Sequence, residues 1–397
     1  MSRVLVRREV EIPNHMALAR LEKCPELGPR VLFFSGGSAL RNASRMLINY
    51  THNSVHLITP FDSGGSSAKL RQAFGMPAVG DIRNRLMALA DQSLRGNPEI
   101  FELFAHRLPR DDTQEERLRT LERMTSGKHP LVARIPDPMR KIVRNHLYAF
   151  AEAMPAGFDL AGASIGNLVL TGGYLGNRRH LDPVIFIFSH LVQVRGVVRP
   201  VVNRDLHLAA ELEDGEIVLG QHRLTGKEVP PLHRRIDRLF LSEDAAAPRL
   251  ARPAVREKIA ALIREAELIC YPMGSFFTSL MASLLPHGVG SAVAQAACPK
   301  IYVPSTGVDP ECHGLSVADQ VERLASLLMA DDPGRIRLAD VLQYVLVDSR
   351  HGRYPGGLDL ERIRRLGLTV IDCTLIGYGP STEIDDKRLV AILLSLA

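Results

Sequence analysis

The ten residues Val31-Leu-Phe-Phe-Ser-Gly-Gly-Ser-Ala-Leu40 restrict the choice of fold more than any other part of this chain. Four apolar residues lead into Ser35-Gly36-Gly37-Ser38, and Arg41-Asn-Ala-Ser-Arg-Met-Leu-Ile48 follows with apolar residues at helical spacing. The pattern predicts a buried strand, a tight turn and a helix. Adjacent glycines let backbone N–H groups come close to a ligand, and a following helix N-terminus favours negative charge. At the carboxyl end of a first parallel strand, such a junction is a phosphate cradle. The lysine of a P-loop and the third glycine of the dinucleotide fingerprint are both missing, so neither motif is assigned. A tight β–α turn with no ligand is the plainer alternative.

A second unit follows at once. Val55-His-Leu-Ile-Thr59 reads as a strand and runs into Pro60-Phe-Asp-Ser-Gly-Gly-Ser-Ser67. Strand–turn–helix units in close succession are the rhythm of a doubly wound parallel sheet. Asp62, Gly64, Gly65 and Ser66 fall at the end of this second strand, beside the first cradle, where open α/β sheets bind ligands. A carboxylate among phosphate-binding amides is unfavourable unless it holds a cation or accepts a proton from a hydroxyl nucleophile. Its plainer role is to cap the next helix. Gly80-Asp81-Ile82-Arg83-Asn84 then introduces a helix predicted over 85–92. Asp81 reads equally as an N-cap or a ligand contact, and Arg83 is suited to phosphate oxygens.

Later segments elaborate this body. Residues 1–27 open with alternating Val4, Val6, Val10 and Ile12, read as an added edge strand, and a short helix over 16–21. Residues 97–154 predict a helical insertion covering one side of the sheet. Residues 198–242 predict a β-hairpin region that takes in Arg199–Asn203, with Asp214-Gly215 as its turn. The α/β rhythm then resumes with strands over 268–271, 300–303, 344–347 and 368–372. Tyr271-Pro-Met-Gly274-Ser275 is a third strand–glycine–helix junction, predicted to open a helix over 276–285. No repeat or low-complexity linker divides the chain, so 1–397 reads as a single domain.

Composition narrows the ligand class. The 397 residues are 46% hydrophobic and 23% charged, which supports an ordinary soluble core. A formal charge of +5 is dispersed, aromatics are only 5% and Trp is absent, which argues against base-stacking surfaces and nucleic acid. Mild basicity suits anionic small ligands. The five cysteines have no metal-ligand spacing, and an odd count without a secretory segment fits a reducing cytoplasm. The most apolar run, residues 183–194, is too short and too interrupted to span a membrane. Gly162-Ala-Ser164-Ile-Gly166 formally matches a nucleophile elbow, but no strong apolar strand precedes it. Read otherwise, Gly166-Asn167 opens a helix and offers an amide to an anion.

The order of these motifs resembles the CofD/YvcK superfamily from about Val31 to the C-terminus. Ser-Gly-Gly-Ser-Ala-Leu, Asp-Ser-Gly-Gly-Ser-Ser, Gly-Asp-Ile-Arg-Asn, Gly166-Asn-Leu, the Ala210-Glu-Leu-Glu-Asp-Gly hairpin and Gly274-Ser-Phe-Phe-Thr-Ser all take part. The resemblance implies an α/β fold: a Rossmann-like, doubly wound, mainly parallel sheet with a helical insertion and a β-hairpin elaboration. One branch, the 2-phospho-L-lactate transferases, moves a phospholactyl-type group from a nucleotide donor to a deazaflavin alcohol with Mg²⁺. The other, the YvcK-type gluconeogenesis factors, binds nucleotide sugars and regulates carbon flux without established turnover. The matching positions imply nucleotide contacts at Gly36, Gly37 and Ser38, an orienting amide at Asn167 and a later phosphate loop at Gly274 and Ser275. Asp62 matches an acid of the regulatory branch's Asp-Asp-Gly-Gly pattern and a functional Asp of the transferases, which implies a catalytic or Mg²⁺-binding role, although only one acid stands here. Gly64, Gly65, Ser66, Asp81, Arg83 and Asn84 complete the expected phosphate-binding set. The expected partners are a nucleoside diphosphate or nucleotide sugar, an acceptor the sequence does not name, and a second copy of the chain as a homodimer. The expected function is a transferase, with a nucleotide-sugar-binding regulator as the alternative. Residues 1–27 and 97–154 depart from the family pattern.

Overall fold

In the computed structural model the described residues are 9–93, 96–226, 229–377 and 382–397. The strands, in chain order, are β1 (Val31–Ser35), β2 (Val55–Ile58), β3 (Val197–Pro200), β4 (His207–Leu212), β5 (Ile217–Leu219), β6 (Ile236–Ser242), β7 (Leu250–Ala251), β8 (Leu268–Tyr271), β9 (Lys300–Tyr302), β10 (Tyr344–Val347) and β11 (Thr369–Asp372). Seven of them form one sheet in the order β11-β10-β9-β8-β1-β2-β3. Every neighbouring pair in it is parallel. The chain builds outward from β1 to β3, then returns to β8 on the other side of β1 and builds the opposite way. The reversal between β1 and β8 opens a crevice at their carboxyl ends, the usual ligand position in such sheets.

β1 is buried at all five positions, as its apolar run demands of a central parallel strand. Its side chains alternate between two layers. Val31 and Phe33 pack with Leu40, Leu47, Cys270 and Leu393 on one face. Leu32 and Phe34 pack with Ile269, Tyr271, Val293 and Val321 on the other. Burying each such side chain is worth roughly 1.5–3 kcal/mol, so a one-residue slip of β1 would exchange two cores at once. The helices 41–47 and 386–396 cover the first face, and 257–264, 289–295 and 317–329 the second.

Several expectations need correction. Residues 198–200, placed in the hairpin region from sequence, belong to β3, which pairs in parallel with β2 and is an edge of the main sheet. The hairpin itself is β4–β5, joined at Asp214-Gly215, and it belongs to a separate antiparallel sheet ordered β5-β4-β6-β7. The helical insertion does not stop at 154: helices Ile165–Gly176 and Leu181–Leu191 extend it, and Phe104, Leu147, Phe150, Leu168 and Phe188 share one core. The helix predicted over 85–92 begins at Gly80 and ends at Ala88, so Asp81 and Arg83 lie inside its first turn. The segment 276–285 starts as a π-helical turn over Phe276–Met281. Val10 and Ile12 form no strand, while Val4 and Val6 lie outside the described residues. All five cysteines are free. No helix among the described residues is long and apolar enough to cross a membrane.

Candidate functional site

The loops leaving β1, β2 and β8 meet over the crevice and line a cleft of about 420 Å³. Gly36, Gly37 and Ser38 come from the first loop, Asp62, Gly64, Gly65 and Ser66 from the second, and Gly274 and Ser275 from the third. Asp81, Arg83 and Asn84 enter from helix Gly80–Ala88, and Asn167 from helix Ile165–Gly176. The structure thus brings Asp62 and every residue of the expected phosphate-binding set to one cavity. Arg107, Gln221, His222 and Thr225 also line it without any sequence pattern that marks them, as does Ser279, the last residue of the Gly274-Ser-Phe-Phe-Thr-Ser motif. Arg107 sits in the helical insertion and Gln221, His222 and Thr225 follow β5, so no local motif marks either group.

The first loop is shaped by side chains packed against its backbone. A Cβ at Gly37 would overlap the Asp81 carboxylate, and one at Gly36 would overlap the Ser279 hydroxyl. Glycine is required here for close approach. The following helix starts only at Arg41 and has seven residues, so the expected combination of glycine turn and helix terminus is not made at this loop. Buried Arg85 holds the loop instead. Its guanidinium donates to the Gly36 carbonyl at 3.0 Å, the Leu40 carbonyl at 2.8 Å, the Ser35 hydroxyl at 3.3 Å and the Ser44 hydroxyl. Burial pulls its pKa down to about 10, which still leaves it charged at neutral pH.

The second loop does join a helix directly. Asp62 Oδ1 accepts the Gly64 N–H at 3.0 Å, which leaves Oδ2 for a ligand. Helix Gly65–Phe74 begins next, and its first recorded backward bond is Ala68 N–H to Gly64 O at 3.2 Å. The N–H groups of Ser66 and Ser67 therefore have no helical partner and lie at the positive end of the helix. Arg71 ties this loop down from behind. It donates to the carbonyls of Phe61 at 3.1 Å and Asp62 at 3.2 Å, and pairs with Asp205 at 2.7 Å.

Two buried polar groups stand unmatched beside this loop. Asn167 is 1% exposed and donates from Nδ2 to Ser66 Oγ at 3.1 Å, yet its Oδ1 has no partner. Arg83 is 8% exposed, and its Nε also has none, although its terminal nitrogens reach Phe104 O and Asn84 Oδ1. An unpaired buried donor or acceptor costs about 1–3 kcal/mol, so both are poised for a ligand. Burial, reinforced by the charges of Arg107 and Arg41, lowers the Arg83 pKa to about 10. The guanidinium stays protonated near pH 7, and an anion would relieve the repulsion.

The third loop is less available than its sequence suggests. Gly274 N–H already donates to Ser305 Oγ at 2.9 Å, and Phe276 N–H to Asp309 Oδ2 at 2.8 Å. Glu311 accepts from Phe277 N–H at 3.0 Å, Thr278 N–H at 2.8 Å and the Thr278 hydroxyl at 2.5 Å. Carboxylates of the 304–314 segment thus occupy the helix start that was expected to meet phosphate, leaving Gly274 and Ser275 as wall. Burial, with Asp309 adding to it, raises the Glu311 pKa to about 7 from 4.5. A raised folded pKa means stability present below the unfolded pKa and lost as pH rises through the folded one. Stability should therefore fall between pH 4.5 and about 7, and Glu311→Gln should flatten that part of a plot of melting temperature against pH. An unchanged slope in the variant would remove Glu311 as its source.

The nucleophile-elbow alternative finds no support. Ser164 is 0% exposed, its Oγ has no partner, and it lies outside the main cleft at the start of helix Ile165–Gly176.

Comparison with known proteins agrees with this architecture. The chain is 28% identical over 380 residues to the gluconeogenesis factor of Bacillus subtilis (strain 168), covering 92% of this chain and 97% of that protein. It is 28% identical over 295 residues to the gluconeogenesis factor of Halalkalibacterium halodurans, covering 74% and 72% respectively. A crystal structure of a UPF0052 family member from Bacillus halodurans superposes with a TM-score of 0.66 at 22% identity, over 92% of this chain and 99% of that one. At that identity the likeness concerns the fold. The family model described as 2-phospho-L-lactate transferase CofD matches residues 31–376, from the first strand to beyond the last. The chain belongs to the CofD family.

Proposed function

We propose that this protein transfers a phosphorylated group from a nucleoside diphosphate donor to an alcohol acceptor. The supporting observation is the pairing of Arg83 and Asn167, buried and incompletely bonded, with the open amides of Ser66 and Ser67 at one helix start. Arg83 and the two amides form a preorganised site for diphosphate oxygens, where fixed donors stabilise charge that develops during transfer, and the unpaired Asn167 Oδ1 is an acceptor for an N–H or O–H of the nucleotide. In the proposed step the acceptor oxygen attacks the phosphorus distal to the nucleoside. The new O–P bond forms, the bridging P–O bond breaks, and the bridging oxygen leaves with the nucleoside monophosphate. The acceptor's proton passes to solvent or to that leaving phosphate. Arg83 and the two amides hold the phosphate oxygens, and Asn167 orients the nucleotide.

The resemblance also implies Mg²⁺. Among the described residues no group of three or more His, Cys, Asp or Glu side chains forms an all-protein metal site. Mg²⁺ in nucleotide sites is held by one or two carboxylates together with substrate phosphates and water, and Asp62 Oδ2 fits that donor set. When bound there, the ion would neutralise phosphate charge.

Calorimetric titration with GDP, UDP and UDP-N-acetylglucosamine, each with and without Mg²⁺, tests this reading. A Mg²⁺-dependent preference for a nucleoside diphosphate is expected. Asp62→Asn should abolish transfer to an alcohol and the Mg²⁺ dependence of nucleotide binding, whereas a regulator without turnover would keep its binding. Preference for the nucleotide sugar, with no turnover in any acceptor screen, would favour the regulatory alternative that the names of the gluconeogenesis factors suggest. No binding to any of the three would overturn both.

A further inference from the structure

The antiparallel sheet contributes a cleft residue that none of the glycine loops supplies. His222 lines the cavity from the short helix Gln221–Leu224 after β5. Its ring is anchored on one edge: Nδ1 lies 2.8 Å from Ser63 Oγ. Ser63 Oγ also accepts the backbone N–H of His222 at 3.1 Å. Ser63 lies between Asp62 and Gly64 but does not itself line the cavity, so it stands behind the ring. Gly220, at φ +98°, lets the ring pack against the chain, since a Cβ there would come within 2.9 Å of His222 Cε1. Neither hydrogen bond uses Nε2.

These contacts favour one tautomer. A hydroxyl has one proton and two lone pairs. The hydroxyl uses its proton as well as a lone pair when it accepts the backbone N–H and donates to Nδ1, which places the ring proton on Nε2. Which nitrogen is protonated in a histidine is set by the hydrogen bond made by the other. The neutral ring then carries an N–H donor on its unbonded edge.

We infer that His222, set in its Nε2–H tautomer by Ser63, is a diphosphate-binding residue that donates to a phosphate oxygen in the cleft. The inference rests on the nucleoside diphosphate reading and deepens it. The donor from the antiparallel sheet complements Arg83 and the Ser66 and Ser67 amides, which come from elements of the main layers. A ligand held by both would then bridge the two sheets. His222 is the binding residue, and Ser63 acts through it as a positioning residue.

The test uses the full chain with inorganic pyrophosphate and with the nucleoside diphosphate that the wild type binds tightest. His222→Ala should weaken both by about ten- to a hundredfold, the range for a hydrogen bond to a charged group. His222→Gln, which keeps an N–H donor, should recover part of that loss. Nitrogen-15 spectra of histidine-labelled protein should show the His222 signal, identified by its absence from His222→Gln, as the Nε2–H form. Ser63→Ala should shift it toward Nδ1–H and weaken binding several-fold, whereas Ser63→Thr should preserve both. A purely structural Ser63 would leave the tautomer unmoved. If His222→Ala fails to fold, His222→Gln and the tautomer still decide the matter. Wild-type affinity retained in His222→Ala, or an Nδ1–H tautomer in the wild type, overturns the inference and leaves the transferase reading standing. Failure of the wild type to bind either probe overturns both.

Discussion

Arg85→Met should lower the free energy of unfolding by about 2–4 kcal/mol, and urea denaturation with an unchanged slope should register it as a shift in midpoint. Arg85 is fully buried and supplies four hydrogen bonds to the first glycine loop and its flank. Methionine keeps most of the volume, so the loss reports the polar contacts and not a cavity. Two terms oppose each other. Removing a desolvated charge returns part of its burial cost, as replacement of buried ionic groups by apolar ones often does. Against that, the Gly36 carbonyl loses its guanidinium donor in the interior, and so does the Ser35 hydroxyl, whereas the Leu40 carbonyl keeps the Ser44 hydroxyl at 2.7 Å and the Ser44 N–H at 2.9 Å. Unmade bonds at about 1–3 kcal/mol each outweigh the relief. Arg85→Lys should recover less than half, because one ammonium cannot reproduce a planar fork reaching several acceptors. A loss below about 1 kcal/mol in the methionine variant would show that the loop holds its shape without this side chain.

Gly37→Ala should act at the cleft itself. The added methyl would occupy space held by the Asp81 carboxylate, and Asp81 lies in the first turn of helix Gly80–Ala88, where a negative charge is favourable. Either the loop or the acid must move, at a cost of about 1–3 kcal/mol. On the proposed function, nucleotide binding should be lost with it, because the first loop and helix Gly80–Ala88 share the cavity. A double-mutant cycle with Asp81→Ala separates this clash from a general backbone effect. The two changes should be non-additive by about 1 kcal/mol or more, the second relieving the first. Strict additivity would place the harm of the alanine elsewhere in the loop.

Much of the site was legible because its residues lie at strand ends, where sequence position and spatial position coincide. Val31–Ser35, Val55–Ile58 and Leu268–Tyr271 are short apolar runs followed by glycine and hydroxyl residues, and parallel strands deliver such ends to one edge of the sheet. The same logic failed where long-range contacts decide. Residues 198–200 read as part of the hairpin region because they precede the hairpin, yet their register is fixed by β2, far away in sequence. Gly274-Ser275 looked like a third cradle, but Asp309 and Glu311 from another loop take up the amides beyond it. Arg85 and Arg71 carried no local sign that they would hold loops from beneath.

The sequence by itself determined the parallel α/β architecture, the glycine loops at strand ends and the membership of Asp62, Arg83 and Asn167 in one set. The first two follow from periodicity and from backbone constraints that act within a few residues, and the third from the resemblance of the motif order to a known family. Tertiary structure alone decided which amides remain open, which arginines clamp the loops and that His222 faces the same cleft. These depend on hydrogen bonds between residues as far apart as Ser63 and His222, separated by 159 positions. A donor in the interior takes whichever acceptor the packed chain brings to it, and spacing along the sequence does not carry that information.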